Sequence, residues 1–127
     1  MNVTLDPSSK IPLYQQLAQR LILEMAKGNL KNGDRLPSIR DLAIQANINL
    51  HTVHKSYKEL QNKGLIVVKP KSKAFVFTGK SSPPKENKLY HITSNLESLL
   101  AEAYVIGLDK EELQQLFNQI IQKYSFS

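Results

Sequence analysis

The sequence predicts a mainly α-helical protein with one small β-hairpin. Three observations predict it. Residues Asn49–Gly64 place Val53, Tyr57 and Leu60 on one helical face, between a cap and a stop. Two β-branched or aromatic runs, Leu65–Val68 and Ala74–Phe77, follow at once and are separated by Lys69–Lys73. Beyond a Pro/Ser/Lys stretch, two more apolar stripes recur at helical spacing.

At 127 residues and 41% hydrophobic content, the chain fits one small domain, or one with an appendage. The absence of cysteine excludes disulfides, thiolate metal sites and cysteine nucleophiles. The first ten residues lack an apolar core of signal-peptide length, and no window approaches the ~18 apolar residues of a membrane span. A soluble, cytoplasmic protein with no membrane partner is expected. The net charge of +6 is uneven. Residues 1–78 hold 12 basic and 5 acidic side chains, whereas residues 91–127 hold 2 and 5. A basic domain beside a mildly acidic helical tail suggests a polyanion-binding unit joined to a unit with another task.

The first ten residues read as an irregular lead-in, with Asp6-Pro7-Ser8-Ser9 as turn chemistry. Pro12 falls in the first turn of a helix. Leu13, Tyr14, Leu17, Leu21, Ile22 and Met25 form its apolar stripe, and Gly28-Asn29 ends it. Asn32-Gly33 is a turn, and Pro37 biases Leu36 towards extended backbone. Ser38 is a good N-cap, with Asp41 placed for a capping-box-like exchange. A short helix follows, with Ile39, Leu42 and Ala43 inward and an end near Ala46. Arg40 points outward in its first turn, against the helix dipole, where a phosphate or base contact would account for it.

Asn47-Ile48-Asn49 is a tight connection, and Asn49 caps the next helix. Two short helices so joined make a helix-turn-helix, whose second helix presents its N-terminal residues to base edges. Here those are Leu50, His51, Thr52 and His54, with Lys55 and Lys58 further along. This outward face is polar and basic and holds no acid, which suits the acceptor-rich major groove. The hairpin that follows carries Lys69, Lys71 and Lys73 at its tip. Helix-turn-helix plus hairpin is the winged helix-turn-helix plan, with the tip set against phosphates or the minor groove.

The tail predicts two helices. The first carries Leu89, Ile92, Leu96, Leu99, Leu100, Ala103 and Ile106 and stops at Gly107. Asp109 caps the second, with Glu112 at the capping-box position, and Leu113, Leu116, Phe117, Ile120, Ile121 and Tyr124 line one face. Two helices of this size cannot bury a core alone. A second copy of the chain is the favoured partner, because symmetric helix-turn-helix dimers place two recognition helices on palindromic DNA. The expected layout is a DNA-binding domain over 1–78, a linker over 79–88 and a helical hairpin over 89–127. Dimerisation falls to Leu96, Leu99, Leu100, Ala103, Leu113, Leu116, Phe117 and Ile120.

Three segments, IPLYQQLAQRL, GDRLPSIRDLA and NLHTVHKSYKELQNKGLI, resemble in order and spacing the GntR family of bacterial transcriptional regulators. The resemblance covers roughly residues 10–77. The short two-helix tail is most similar to the YtrA-type subgroup, in which the tail serves dimerisation. The resemblance implies a homodimeric repressor, in that family often of its own operon and of neighbouring transporter genes; the sequence does not identify the regulated genes. It also implies DNA contacts at Arg40 and at Asn49, Leu50, His51, Thr52 and His54. Two departures stand out. Relatives often carry arginine where this chain has Leu50 and His54, and glycines where the wing has Lys71 and Lys73. A wing that grips phosphate by charge is the expectation.

Other chemistry finds little support. His51 and His54 share a helix face but have no further metal ligand nearby, so no metal and no cofactor are expected. No phosphate loop, Gly-x-Ser-x-Gly or His-Glu-x-x-His is present, and no enzyme is expected. The competing class is a winged-helix protein-interaction module whose C-terminal helices bind another protein. The sequence identifies no effector.

Overall fold

The computed structural model describes residues 3–78 and 86–124. Its first helix, α1 (Leu13–Ala26), starts one residue after Pro12. Pro12 is thus the N-cap rather than a first-turn residue, and its carbonyl accepts the Gln15 and Gln16 N–H groups. Leu17, Ala18 and Leu21 are its buried stripe. The lead-in is tied down by Gln16, whose side chain accepts from Asp6 N and donates to the Asp6 and Ile11 carbonyls.

The second helix, α2 (Ile39–Ala46), begins where Ser38 Oγ accepts Asp41 N–H at 3.0 Å. It ends at Asn47, which takes the left-handed conformation (φ 54°) so that Ile48 N–H can reach the Ala43 carbonyl. Asparagine is among the few non-glycine residues that tolerate this state. The third helix, α3 (Leu50–Asn62), starts at the Asn49 cap, whose Oδ1 accepts His51 N–H at 2.8 Å. It closes on Gly64, at φ 73°, with Leu65 N–H on the Leu60 carbonyl and Gly64 N–H on the Gln61 carbonyl.

Two antiparallel strands follow, β1 (Ile66–Lys69) and β2 (Lys73–Val76), with Ile66 opposite Val76 and Lys69 opposite Lys73. Both strands sit one residue away from the runs read in the sequence and extend into the lysines of the expected tip. What remains of the tip is a short turn, Pro70–Ser72. The segment 33–36, expected only as a turn and an extended residue, pairs with β2. Gly33 N–H donates to Val76 O, Val76 N–H to Asp34 O, and Leu36 N–H to Ala74 O, at 2.8–2.9 Å.

The core joins Leu17, Leu21, Leu36, Leu42, Val53, Tyr57, Leu60, Ile66 and Val76. Helix α3 is its hub and packs on α1, α2 and β1. Two hydrogen bonds fix that hub. Ser56 Oγ, fully buried, donates to the Tyr14 carbonyl at 2.7 Å, and Tyr57 OH donates to the Pro37 carbonyl at 2.6 Å.

The chain divides into two compact units after Thr78. In the second unit, α4 (Glu86–Val105) begins inside the stretch read as linker, and residues 79–85 of that stretch lie outside those described. Leu108 N–H closes α4 on the Ala103 carbonyl. A complete capping box of Asp109 and Glu112 starts α5 (Lys110–Gln122). The expected helical hairpin is open, because α4 and α5 do not pack along one another and α5 buries no residue. The apolar stripes of both helices face outward, so neither supplies the other with a core.

Candidate nucleic-acid interface

The outward face of α3 is set by what its inward face buries. Val53, Ser56, Tyr57 and Leu60 take the core side, so the 3.6-residue period turns His51, His54, Lys55 and Lys58 to the surface. All four are exposed, as are Asn49 and Leu50, and Thr52 is half-buried at the edge. No acidic residue lies in the first turn of α3. The partial positive charge at its N-terminus is therefore uncompensated, as an approaching phosphate requires.

The two caps also shape the surface chemistry. Each spends its acceptor on its own helix, at Ser38 Oγ and Asn49 Oδ1. Ser38, half-buried, keeps a hydroxyl proton and Asn49, exposed, keeps its amide N–H pair, so each retains donor capacity beyond its cap. Arg40 is exposed in the first turn of α2 and has no ion-pair partner among the described residues.

The lysines differ in their settings. Lys55 reaches back over the Tyr14 ring, its Nζ 4.5 Å from the centroid, and so borders α1. Lys58 and His54 line a shallow groove of about 800 Å³ with Ile39, Gln61, Val68 and Ala74, between α3 and the hairpin. Lys69 lies over the Phe75 ring at 5.0 Å, and Lys73 is its cross-strand partner. Like charges directly opposed are mutually destabilising, and a polyanion relieves them. Lys71 at the turn has φ 67° and ψ 29°, a left-handed state that costs a lysine about 1–2 kcal/mol. The structure thus brings Arg40, the α3 face and the hairpin lysines onto one small unit, and sets Lys55 on its α1 flank.

Three features were not anticipated from sequence. Ser56 completes the buried face at helical spacing, yet its hydroxyl gave no apolar signal. Tyr57 ties α3 to the segment preceding α2. Ile44, 72% exposed, is an apolar residue on the same outward face of α2 as Arg40, one turn further on.

In the second unit Leu96, Leu99, Leu100, Leu116, Phe117 and Ile120 are 44–62% exposed, while Ala103 and Leu113 are half-buried. Tyr90, Tyr104 and Val105, outside the expected set, are more exposed still. An open apolar groove of about 660 Å³ runs between Leu100, Tyr104, Leu113 and Phe117. Among the described residues, no three His, Asp or Glu side chains gather as a metal site, and no helix is long and apolar enough to cross a membrane.

The family model for bacterial regulatory proteins, gntR family, matches residues 13–76, from the start of α1 to the end of β2. The transcriptional repressor YtrA of Bacillus subtilis is 32% identical over 118 residues, spanning 93% of this chain and 91% of that protein. A transcriptional antiterminator from Listeria monocytogenes EGD-e superposes with a TM-score of 0.86 at 25% identity, covering 94% of this chain and 91% of that one. YtrA from Sulfolobus acidocaldarius, a GntR-family transcription factor, superposes at 0.62 with 38% identity, covering 77% of this chain and 99% of that one.

Proposed function

This chain belongs to the gntR family of bacterial regulatory proteins, a family of transcriptional regulators, and we propose that it is a homodimeric repressor of a palindromic operator. The observation that carries the DNA-facing part is the outer face of α3, which has no acid in its first turn and exposes His51, His54, Lys55 and Lys58, flanked by Arg40 and the hairpin lysines. Helix α3 enters the major groove, and Leu50, His51, Thr52 and His54 face base edges. Arg40 reaches a base or phosphate, and Ser38 and Asn49 donate to the backbone. Lys58 adds a phosphate contact, as does Lys55 once drawn from Tyr14. Lys69, Lys71 and Lys73 hold phosphates on the wing side or at the minor-groove edge.

The open second unit supports the dimer. Its splayed helices expose apolar stripes that a second copy covers symmetrically, through Leu96, Leu99, Leu100, Ala103, Leu113, Leu116, Phe117 and Ile120. Two recognition helices then address half-sites about 10 bp apart, or a multiple of that. The repressor assignment rests on the likeness to YtrA of Bacillus subtilis, described as a repressor.

Selection of bound duplexes from a random pool tests the whole reading. It should return an inverted repeat, with binding that weakens steeply as salt rises, because phosphate neutralisation releases counterions. A pool that never converges, with no retention on DNA at low salt, would refute it and leave the protein-interaction module. Derepression of a reporter on deletion of the gene tests the sign of regulation.

A further inference from the structure

Leu50 is a large apolar side chain at a place where the core does not need it. It is the first residue of α3 and 45% exposed, and it stands outside the buried cluster that Val53, Tyr57 and Leu60 join three to ten residues later. It adjoins the donor pair of Asn49 and the exposed His51. An apolar side chain among donors at the tip of a groove-facing helix has one apolar counterpart in the major groove. That is the C5-methyl group of a pyrimidine, carried by thymine. Guanine offers acceptors at N7 and O6, and cytosine a donor, none of which a leucine can pair.

We propose that Leu50 is a specificity-determining residue that reads a thymine C5-methyl, so that each half-site holds an A·T pair at the position it faces. This rests on the reading of α3 as the major-groove helix. It adds a definite base class where that reading names only a surface. The half-site becomes a mixed code, with polar contacts from Arg40, His51 and His54 around one apolar contact. Cytosine methylated at C5 carries the same group, and the experiment separates the two sources.

The test uses the full chain and the duplex selected from a random pool. Each thymine of the half-site is replaced in turn by deoxyuridine, which lacks only the methyl. Withdrawing one methyl from a buried contact should weaken binding about fourfold per half-site at a single position. Leu50→Ala should bind the thymine and deoxyuridine duplexes equally. Placing cytosine at that position should weaken wild-type binding further. 5-Methylcytosine should recover part of the loss only if the methyl, rather than the thymine carbonyl, is what is read. Leu50→Arg, carried through a new selection, should exchange the thymine for guanine.

If no deoxyuridine substitution changes wild-type affinity by more than about twofold, Leu50 reads no methyl and the proposal falls while DNA binding stands. If Leu50→Ala keeps the full deoxyuridine penalty, another residue reads the methyl and the assignment is wrong. A pool that yields no enriched duplex overturns this proposal together with the DNA-binding reading. Circular dichroism of both Leu50 variants, matched to wild type, excludes misfolding as the cause of any loss.

Discussion

Replacing Leu116 and Phe117 by serine should dissociate the proposed dimer. Both residues are about half exposed on a helix that buries nothing within its own chain. Full burial of such a side chain contributes about 1.5–3 kcal/mol, so completing a half-finished burial leaves about 1 kcal/mol for each. The double variant removes two such side chains from each copy, or about 4 kcal/mol across a symmetric interface. That corresponds to a roughly thousandfold weaker Kd before the cost of burying the serine hydroxyls is added. Sedimentation velocity of the full chain at micromolar concentration reads the outcome, with wild type as a dimer and the variant as a monomer. Far-UV circular dichroism should change little, because the capping box of Asp109 and Glu112 remains intact. A variant that still sediments as the same dimer would show that the interface does not use the α5 face. A wild type that stays monomeric at every concentration would end the second-copy reading altogether.

Arg40→Ala should cost about 1–3 kcal/mol on the selected duplex if the side chain reads a base, and less if it touches only phosphate. It should leave thermal stability unchanged, since Arg40 is exposed and has no ion pair among the described residues; a large drop in melting temperature would mean the arginine is structural. Lys71→Gly should move stability and affinity in opposite directions. Relief of the left-handed strain, less the entropy a glycine loses on folding, leaves a gain of about 0.5–1 kcal/mol. The slope of log affinity against log salt should meanwhile flatten by about one unit in the variant. A lower melting temperature, or an unaltered slope, would remove Lys71 from this role. Tyr57→Phe should destabilise the fold by about 1–3 kcal/mol, because the buried 2.6 Å bond to the Pro37 carbonyl is lost. Burial also raises the Tyr57 phenol above its ordinary value of 10.0, so the unfolded chain ionises first. Stability is therefore intact below that value and declines as pH rises through and beyond it. Chemical denaturation in that alkaline window should show the decline in wild type and a weaker one in Tyr57→Phe. An equal decline in both would assign it to other groups.

Which parts of the fold could be read in advance follows from the range of the interactions involved. The caps at Ser38, Asn49 and Asp109 were legible because a side chain and the amide it accepts lie two or three residues apart. The pairing of 33–36 with β2 was not, since it joins residues about forty apart through backbone groups that every sequence possesses. The bonds from Ser56 to Tyr14 and from Tyr57 to Pro37 escaped notice for the same reason: their partners are carbonyls, 42 and 20 residues away. The hairpin was legible as a pair of runs but not in its register. Register depends on where the turn forms, and a lysine accepts the left-handed position that a glycine would have advertised. The tail is the instructive case. An amphipathic stripe states that a helix needs apolar cover and nothing about who provides it. The same residues would appear whether α4 and α5 closed on each other or each lay against another chain. In the open arrangement the stripes of both helices remain exposed within one chain, and cover from a second chain is what the proposed dimer would supply. The proposed second copy, related by a twofold axis, would satisfy both stripes at once and would pair the proposed groove-facing helix of one copy with that of the other.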